Sequence, residues 1–417
     1  MRLSTPISSC RLCASTSLSN IMELAPTPAG DHYLPTENSP EQLPLFSLDL
    51  RQCNTCGHVQ LGGLVDPAYI YRDYIYTTGS SLGLAAHFAD YAHATVDQLQ
   101  LEPGSRVVEI GSNDGTMLRA FKELRMNVLG VDPAKSIADL ATQSGIPTLP
   151  EFFTTDLAQK IRATRGPADL IIANNVFANV SDPFEFACAL RELLAPDGTL
   201  VLETGYLRYL AEDVVFDNIY HEHIDYHSIR PLVRFFKSLG MTLFDVHVSS
   251  SKGSSIRCMI SHASAQRPVS KQVDLLVQRE LDMGYQRPEP YRSLARHLET
   301  TKTTLHGILE PARQSGLRIA GFGASVGVTT MLYHWKLAPF IQMLLDDNPR
   351  RHGLRSPGLG IPVQNPAKID EQPPALVVLL AWRYSDAIIK KYSHWLSKGT
   401  RFLHVLPNVK LLDDSLN

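Results

Sequence analysis

Over most of this chain apolar residues fall in short runs separated by polar, helix-period stretches. Between 106 and 260 such runs predict strands at 106–110, 127–131, 170–173 and 198–203, followed by a close apolar pair at 242–246 and 255–260. Alternation of that kind predicts a doubly wound parallel sheet, and the late pair adds an antiparallel edge. The charged, helix-period stretch 271–314 reads as a linker. A second α/β unit opens at Leu317-Arg-Ile-Ala-Gly-Phe-Gly323 and continues through 341–346, with later strands at 375–380 and 401–405. The first 75 residues differ. They are rich in Pro, Ser and polar residues, as in Ala25-Pro26-Thr27-Pro28-Ala29-Gly30, and predict a segment too poor in core to hold itself without a staple. The expected fold class is therefore α/β with three domains, at 1–75, 76–270 and 271–417.

The staple is visible in the cysteines. Four of the six form two CxxC pairs, Cys10 with Cys13 and Cys53 with Cys56, each beside turn-prone residues. Two such knuckles supply the four thiolates that close around tetrahedral zinc. A redox CxxC usually opens a helix after a strand, which neither pair is placed to do. Cys188 and Cys258 lie in apolar patterns and read as inert core residues. Zinc knuckles also suit nucleic-acid binders, but a formal net charge of −3 and the absence of a basic stripe argue against that class and against an anionic membrane. No run of eighteen apolar residues is present, so no membrane span is expected. The opening MRLSTPISSC lacks the apolar core of a signal peptide, and thiols kept reduced fit the cytoplasm. No heptad pattern predicts a dimer, and the oligomeric state stays open.

Two glycine turns carry the cofactor question. The strand at 106–110 runs into Glu109-Ile-Gly111-Ser-Asn113-Asp114-Gly115, and the next one ends in Asp132. Glycine allows a backbone to approach a ligand closely, and an acid ending the second strand can accept from two ribose hydroxyls. Without a third glycine this is a poor pyrophosphate fingerprint, but it resembles motif I of class I S-adenosylmethionine (SAM) methyltransferases. The second turn, Gly321-Phe-Gly323 with Gly327 and then Asp346, imitates a dinucleotide fingerprint and makes an NAD-dependent oxidoreductase the competing reading. A non-catalytic zinc scaffold is a third reading, disfavoured by the chemistry after the fourth strand. There the chain reads Phe216-Asp-Asn-Ile-Tyr220-His221-Glu222-His223-Ile-Asp-Tyr226. The histidines are two apart, so the i, i+4 spacing of a zinc protease is missing. In an extended or irregular stretch His221 and His223 would share one side and Tyr220 and Glu222 the other, an arrangement suited to general acid–base work.

Taken together, these residues resemble the zinc-containing, SAM-dependent C-methyltransferases that act on nucleotide-linked ketosugars in deoxysugar and antibiotic biosynthesis. The likeness extends over the paired CxxC motifs with Cys56-Gly-His-Val-Gln-Leu61, the tyrosine-rich 71–76, and Glu109 to Gly115. It continues through Gly130-Val-Asp132, Ala173-Asn-Asn-Val-Phe177, 216–223, Gly321-Phe-Gly-Ala324, Asp346-Asp-Asn-Pro349 and Pro357-Gly-Leu-Gly-Ile-Pro362. It implies an N-terminal zinc-binding domain, a class I methyltransferase domain and a Rossmann-like C-terminal domain that binds the nucleotide sugar. It further implies that His223 is the general base and that Tyr220 and Glu222 position the sugar or the cofactor. SAM would lie against Glu109, Gly111, Asn113, Asp114, Gly115, Asp132, Phe152, Asn174 and Asn175. The substrate, implied to be a dTDP-4-keto-6-deoxysugar methylated at carbon 3, would meet Tyr76, Asn179, His221, Gly323 and Asp346. One position departs from the family: the Ala-Asn-Asn-Val-Phe-Ala run ends in Asn179 where the family has histidine. Asparagine exchanges no proton, so the usual acceptor is in question there.

Overall fold

The computed structural model of the chain describes residues 3–35, 43–70, 84–249 and 255–412. The apolar runs of the middle region pair into a seven-stranded sheet. Counted along the chain, its strands are Arg106–Ile110, Asn127–Val131, Thr148–Leu149, Ala168–Asn174, Leu194–Gly205, Met241–Ser249 and Ser255–His262, and they lie side by side in the order 6-7-5-4-1-2-3. The first five are parallel; the last along the chain is antiparallel to both of its neighbours. Helices cover both faces, which is why the strands read as unbroken apolar runs. Val107, Leu170, Ile172 and Val201 pack on one side with Met117 and Phe121, while Val108, Ile171, Ala173 and Leu200 pack on the other with Leu190 and Phe236.

The C-terminal unit is a six-stranded sheet in the order 3-2-1-4-5-6. Its strands along the chain are Ile319–Phe322, Met343–Leu345, Val363–Gln364, Leu376–Leu379, Arg401–His404 and Lys410–Leu412, the last antiparallel. The sequence predicts four of these; Val363–Gln364 and Lys410–Leu412 are too short to leave a periodic signal.

Two expectations change. Residues 271–314 are helical as expected, in Lys271–Asp282 and the 26-residue Glu289–Gln314, but the longer helix is part of the core and not a linker. Tyr291, Leu294, Leu298, Leu305 and Leu309 recur at helical spacing and are buried, so the charge that suggested a linker belongs to the opposite face. Nor is the N-terminal segment short of core. Leu18–Thr27, Phe46–Cys53 and Val59–Leu61 form an antiparallel sheet whose fourth strand, Asp225–Tyr226, comes from the middle region. Leu48, Leu50 and Leu61 from this sheet share one apolar core with Leu298, Leu305 and Trp335, so the core missing from the local sequence is supplied by residues some 250 positions away. Among the described residues no helix is long and apolar enough to cross a membrane.

Candidate active site

An α/β sheet offers a ligand crevice beyond the carboxyl ends of its strands, where strand order reverses. In the middle sheet that point lies between Arg106–Ile110 and Ala168–Asn174, and in the C-terminal sheet between Ile319–Phe322 and Leu376–Leu379. One cleft of about 1520 Å³ takes in Gly111, Asn113 and Asp132 from the former, Ser325, Val326 and Arg383 from the latter, and Asp31 and Tyr33 from the N-terminal segment.

At the middle-sheet end, Gly111 (φ +74°) and Gly115 (φ +73°) hold left-handed turns. Their demand for glycine also comes from packing: a Cβ on Gly111 would stand 2.4 Å from the Val176 side chain, and one on Gly115 would stand 2.9 Å from Ile146. Asp132 accepts the Asn113 N–H at 2.8 Å on one oxygen and the Ala134 N–H at 2.9 Å on the other, closing the turn while leaving each oxygen a free lone pair. Asp114 accepts from the Thr116 hydroxyl and N–H and, like Glu109 and Gly115, does not line the cleft. Glu109 is buried, one carboxyl oxygen lacks any hydrogen-bond partner, and burial beside the Asp132 and Asp114 charges pushes its pKa well up. Asn174 receives the Tyr91 hydroxyl at 3.4 Å, Asn175 donates its N–H to the Glu203 carbonyl at 2.7 Å, and Phe152 stands 62% exposed at the rim.

The C-terminal sheet repeats the device. Asp346 accepts from Ala324 N–H at 2.7 Å and Asn348 N–H at 2.8 Å, and Gly323 turns with φ +121°. Neither Gly323 nor Asp346 reaches the cleft, however. The first turn of the following helix is occupied by protein instead: a Cβ on Gly327 would lie 2.6 Å from the Asp217 carbonyl oxygen.

Asp217 belongs to the segment that carries the proton chemistry. Its carboxylate pairs with Arg383 at 2.9 Å and accepts from the Trp382 indole at 3.2 Å, and the Ile219 carbonyl accepts from Thr330 at 2.9 Å. The extended geometry expected for 220–223 is absent. The His223 N–H reaches the Tyr220 carbonyl at 3.0 Å, making a turn, so the i, i+3 pair meets and not His221 with His223. The Tyr220 hydroxyl lies 2.9 Å from His223 Nε2, and His223 Nδ1 lies 3.0 Å from the Asn218 carbonyl. A carbonyl only accepts, so Nδ1 carries the hydrogen and Nε2 offers its lone pair to Tyr220.

Glu222 faces the cleft, and burial together with the Asp31 charge pushes its carboxyl up to about 7. His221 points away: it is buried with Nε2 3.2 Å from the Phe46 carbonyl, and burial pulls its pKa down to about 4. Asn179 lines the cleft with its side-chain oxygen buried and unpartnered. Tyr76 lies outside the described residues. Several cleft residues escaped the sequence reading, among them Asp31, Arg351, Arg383 and Asp225. Their signal is spatial only: Arg351 pairs with Asp31 across 320 residues.

The four cysteines converge. Cys10 and Cys56 sulfurs are 3.6 Å apart, Cys13 and Cys53 are 3.5 Å apart, and all four ligand atoms fall within 4.8 Å of one another. Tetrahedral zinc with bonds of about 2.3 Å separates its sulfurs by about 3.8 Å, so the cluster fits the ion. Without an ion the thiols differ: the Cys56 contact and burial push Cys10 up, burial pushes Cys13 up to about 11, and the backbone N–H groups of Cys56 and Thr55 outweigh burial and bring Cys53 to about 7, so a bound metal would have to displace protons.

Comparison with known proteins agrees with this layout. Residues 10–71 match the family described as "Putative zinc binding domain", 85–246 match "Methyltransferase domain", and 250–407 match "C-methyltransferase C-terminal domain". C-methyltransferase NovU of Streptomyces niveus is 29% identical over 408 residues, covering 98% of this chain and 97% of the relative. Together the three matches run along residues 10–407, and the chain is similar to NovU over nearly its whole length. It is a SAM-dependent enzyme with an N-terminal zinc site. A ubiquinone biosynthesis O-methyltransferase of Caulobacter sp. (strain K31) is 30% identical over 103 residues, 24% of this chain and 41% of that one. The solved magnesium protoporphyrin IX methyltransferase of Synechocystis PCC 6803 with bound SAM aligns over 47% of this chain and 88% of its own at 16% identity, with a TM-score of 0.33.

Proposed function

We propose that this C-methyltransferase removes a proton from a carbon next to a ketone on a nucleotide-linked deoxysugar, a dTDP-4-keto-6-deoxysugar at carbon 3, and methylates the resulting enolate in the cytoplasm. The observation that carries the reading is the Tyr220–His223 pair, set in a cleft common to both sheets with the His223 tautomer fixed. A neutral imidazole held in that way offers a free-base nitrogen, which suits removal of a proton α to a carbonyl. His223 Nε2 takes that proton, the C–H electron pair moves into the enolate, and the Tyr220 hydroxyl released from Nε2 donates to the enolate oxygen. When bound, SAM supplies an electrophilic methyl on a sulfonium. Its amino-acid end suits the Gly111 turn, with Glu109 buried behind it, and its ribose suits Asp132.

The nucleotide part is supported by charge. Among the charged side chains of the described cleft wall acids outnumber arginines, and the two arginines there, Arg351 and Arg383, both come from the C-terminal domain. Each is paired with an aspartate, Asp31 or Asp217, so a diphosphate would have to share those guanidinium groups, beside the 67% exposed Tyr384 ring on which a base can stack. Mass spectrometry of ketosugar nucleotides incubated with SAM tests the substrate class: a product heavier by one CH2 unit, from hydrogen replaced by methyl, is expected with the dTDP-linked 4-ketosugar, and its absence across the ketosugar series would refute the reading. Solvent deuterium exchange at the acidic carbon, measured with S-adenosylhomocysteine in place of SAM, tests the base. His223→Asn should slow exchange by about 100- to 10,000-fold, and Tyr220→Phe by less.

A further inference from the structure

Arg11 stands between two metal ligands, yet its side chain leaves the cysteine knuckle for the cleft wall. Its Nε lies 3.0 Å from both oxygens of Asp225, Nη1 donates to the Ser181 carbonyl at 2.9 Å, and Nη2 donates to the Val180 carbonyl. The guanidinium is 7% exposed and the Asp225 carboxylate is fully buried, so these contacts form out of water, where charge-assisted hydrogen bonds are strong. The two cleft segments are also joined to each other, because the Ala178 carbonyl accepts from both Ile224 N–H at 2.8 Å and Asp225 N–H at 3.1 Å. Asn179 sits inside one segment, and Asp225 comes two residues after His223 in the other. The knuckle is anchored from behind: Gln60 accepts the Arg11 N–H at 2.9 Å, and Gln60 is the strand partner of Asp225.

We propose that Arg11 is a positioning residue which carries the order of the zinc cluster into the cleft, fixing the segments that bear Asn179 and Asp225. The closed site of four thiolates has no open coordination position for a reactant, so the metal can affect turnover only through the chain it holds. Arginine is suited to the task, since one planar fork satisfies a carboxylate and two carbonyls at once, whereas a lysine ammonium reaches the carboxylate without spanning to both carbonyls.

The test compares the zinc-loaded full chain with Arg11→Gln and Arg11→Lys. Arg11→Gln should keep its zinc and bind SAM within about twofold of the parent, while the amides of Asn179, Ile224 and Asp225 exchange with solvent about tenfold faster. Removing zinc from the parent with a chelator should raise exchange at the same three amides, and removing it from Arg11→Gln should add less than it does in the parent, the remainder acting through His58, which follows Cys56 by two residues and lies 2.8 Å from Asp225. Arg11→Lys should recover protection at Asp225 more than at Asn179, and serves for the same comparison if Arg11→Gln does not retain metal. With the dTDP-4-ketosugar, kcat should fall about tenfold in Arg11→Gln with the KM for SAM unchanged, and recover partly in Arg11→Lys. Unchanged protection in a zinc-loaded variant, or additive effects of chelation and substitution, would overturn the proposal. The exchange measurements need no acceptor, so they decide it even where the proposed substrate fails to turn over.

Discussion

Tyr220 to His223 were legible in the sequence as a cluster of proton carriers, but their division of labour was not. A turn, not a strand, sets which side chains meet, and that turn depends on Asp217 and Ile219 being held by Arg383, Trp382 and Thr330 from the C-terminal domain. His221 is thereby a structural residue with a testable signature. Its pKa is about 4 when folded, against about 6.5 for a histidine in the unfolded chain, so between those values the unfolded state binds the extra proton. Stability should fall as pH drops from about 6.5 toward 4, with His221 accounting for up to about 2 kcal/mol by pH 5. His221→Gln keeps a donor for the Phe46 carbonyl and does not titrate; urea melts at pH 7 and pH 5 should show a smaller loss in the variant. An equal loss would mean that His221 is not the group responsible. Asp132 gives a second residue-scale expectation. Asp132→Asn should weaken SAM by about tenfold, since the amide cannot accept from two backbone N–H groups and from a ribose hydroxyl on both atoms. Calorimetry returning the parent affinity would remove Asp132 from the cofactor site.

At the scale of elements, what the sequence reveals depends on whether a segment's environment is local. The parallel strands are buried on both faces by their own flanking helices, so their apolar runs and bounding turns identify them. The helix Glu289–Gln314 shows the opposite case. Its composition is charged, and its apolar stripe makes sense only once the strand Leu18–Thr27 lies against it, a contact nothing in the intervening sequence announces. The glycine turns show a third case: both were visible, but the C-terminal one has its helix start filled by Asp217, so the dinucleotide resemblance marks a docking point for the proton-carrying loop. If the stripe of Glu289–Gln314 is core, Leu298→Ala should cost about 2–5 kcal/mol through the cavity it leaves, with no change in the denaturant slope. An exposed linker helix would lose less than about 0.5 kcal/mol on the same substitution.

At the scale of the whole molecule, the three regions share what each lacks. The cleft has walls from all three, and the N-terminal sheet borrows its fourth strand from the middle region and its core from the C-terminal one. This changes what zinc is expected to do. A small module that folds only around its metal loses its structure to a chelator, and the sequence, with its Pro-rich opening and paired cysteines, predicts such a module. Here Leu48, Leu50 and Val59 are fully buried in a core that includes Leu298, Leu305 and Trp335, and none of these contacts involves the metal. Chelation should therefore leave the chain folded at 25 °C, with its far-UV circular dichroism nearly intact, while lowering the melting temperature by several degrees as the knuckles loosen. Deleting residues 1–83 removes the apolar sheet itself and exposes its partners on Glu289–Gln314, so that shorter chain should aggregate even though its middle sheet is complete. The two experiments separate the contributions of metal and core. Loss of the circular dichroism signal at 25 °C on chelation alone would show that zinc, and not the shared apolar core, holds the N-terminal region in place.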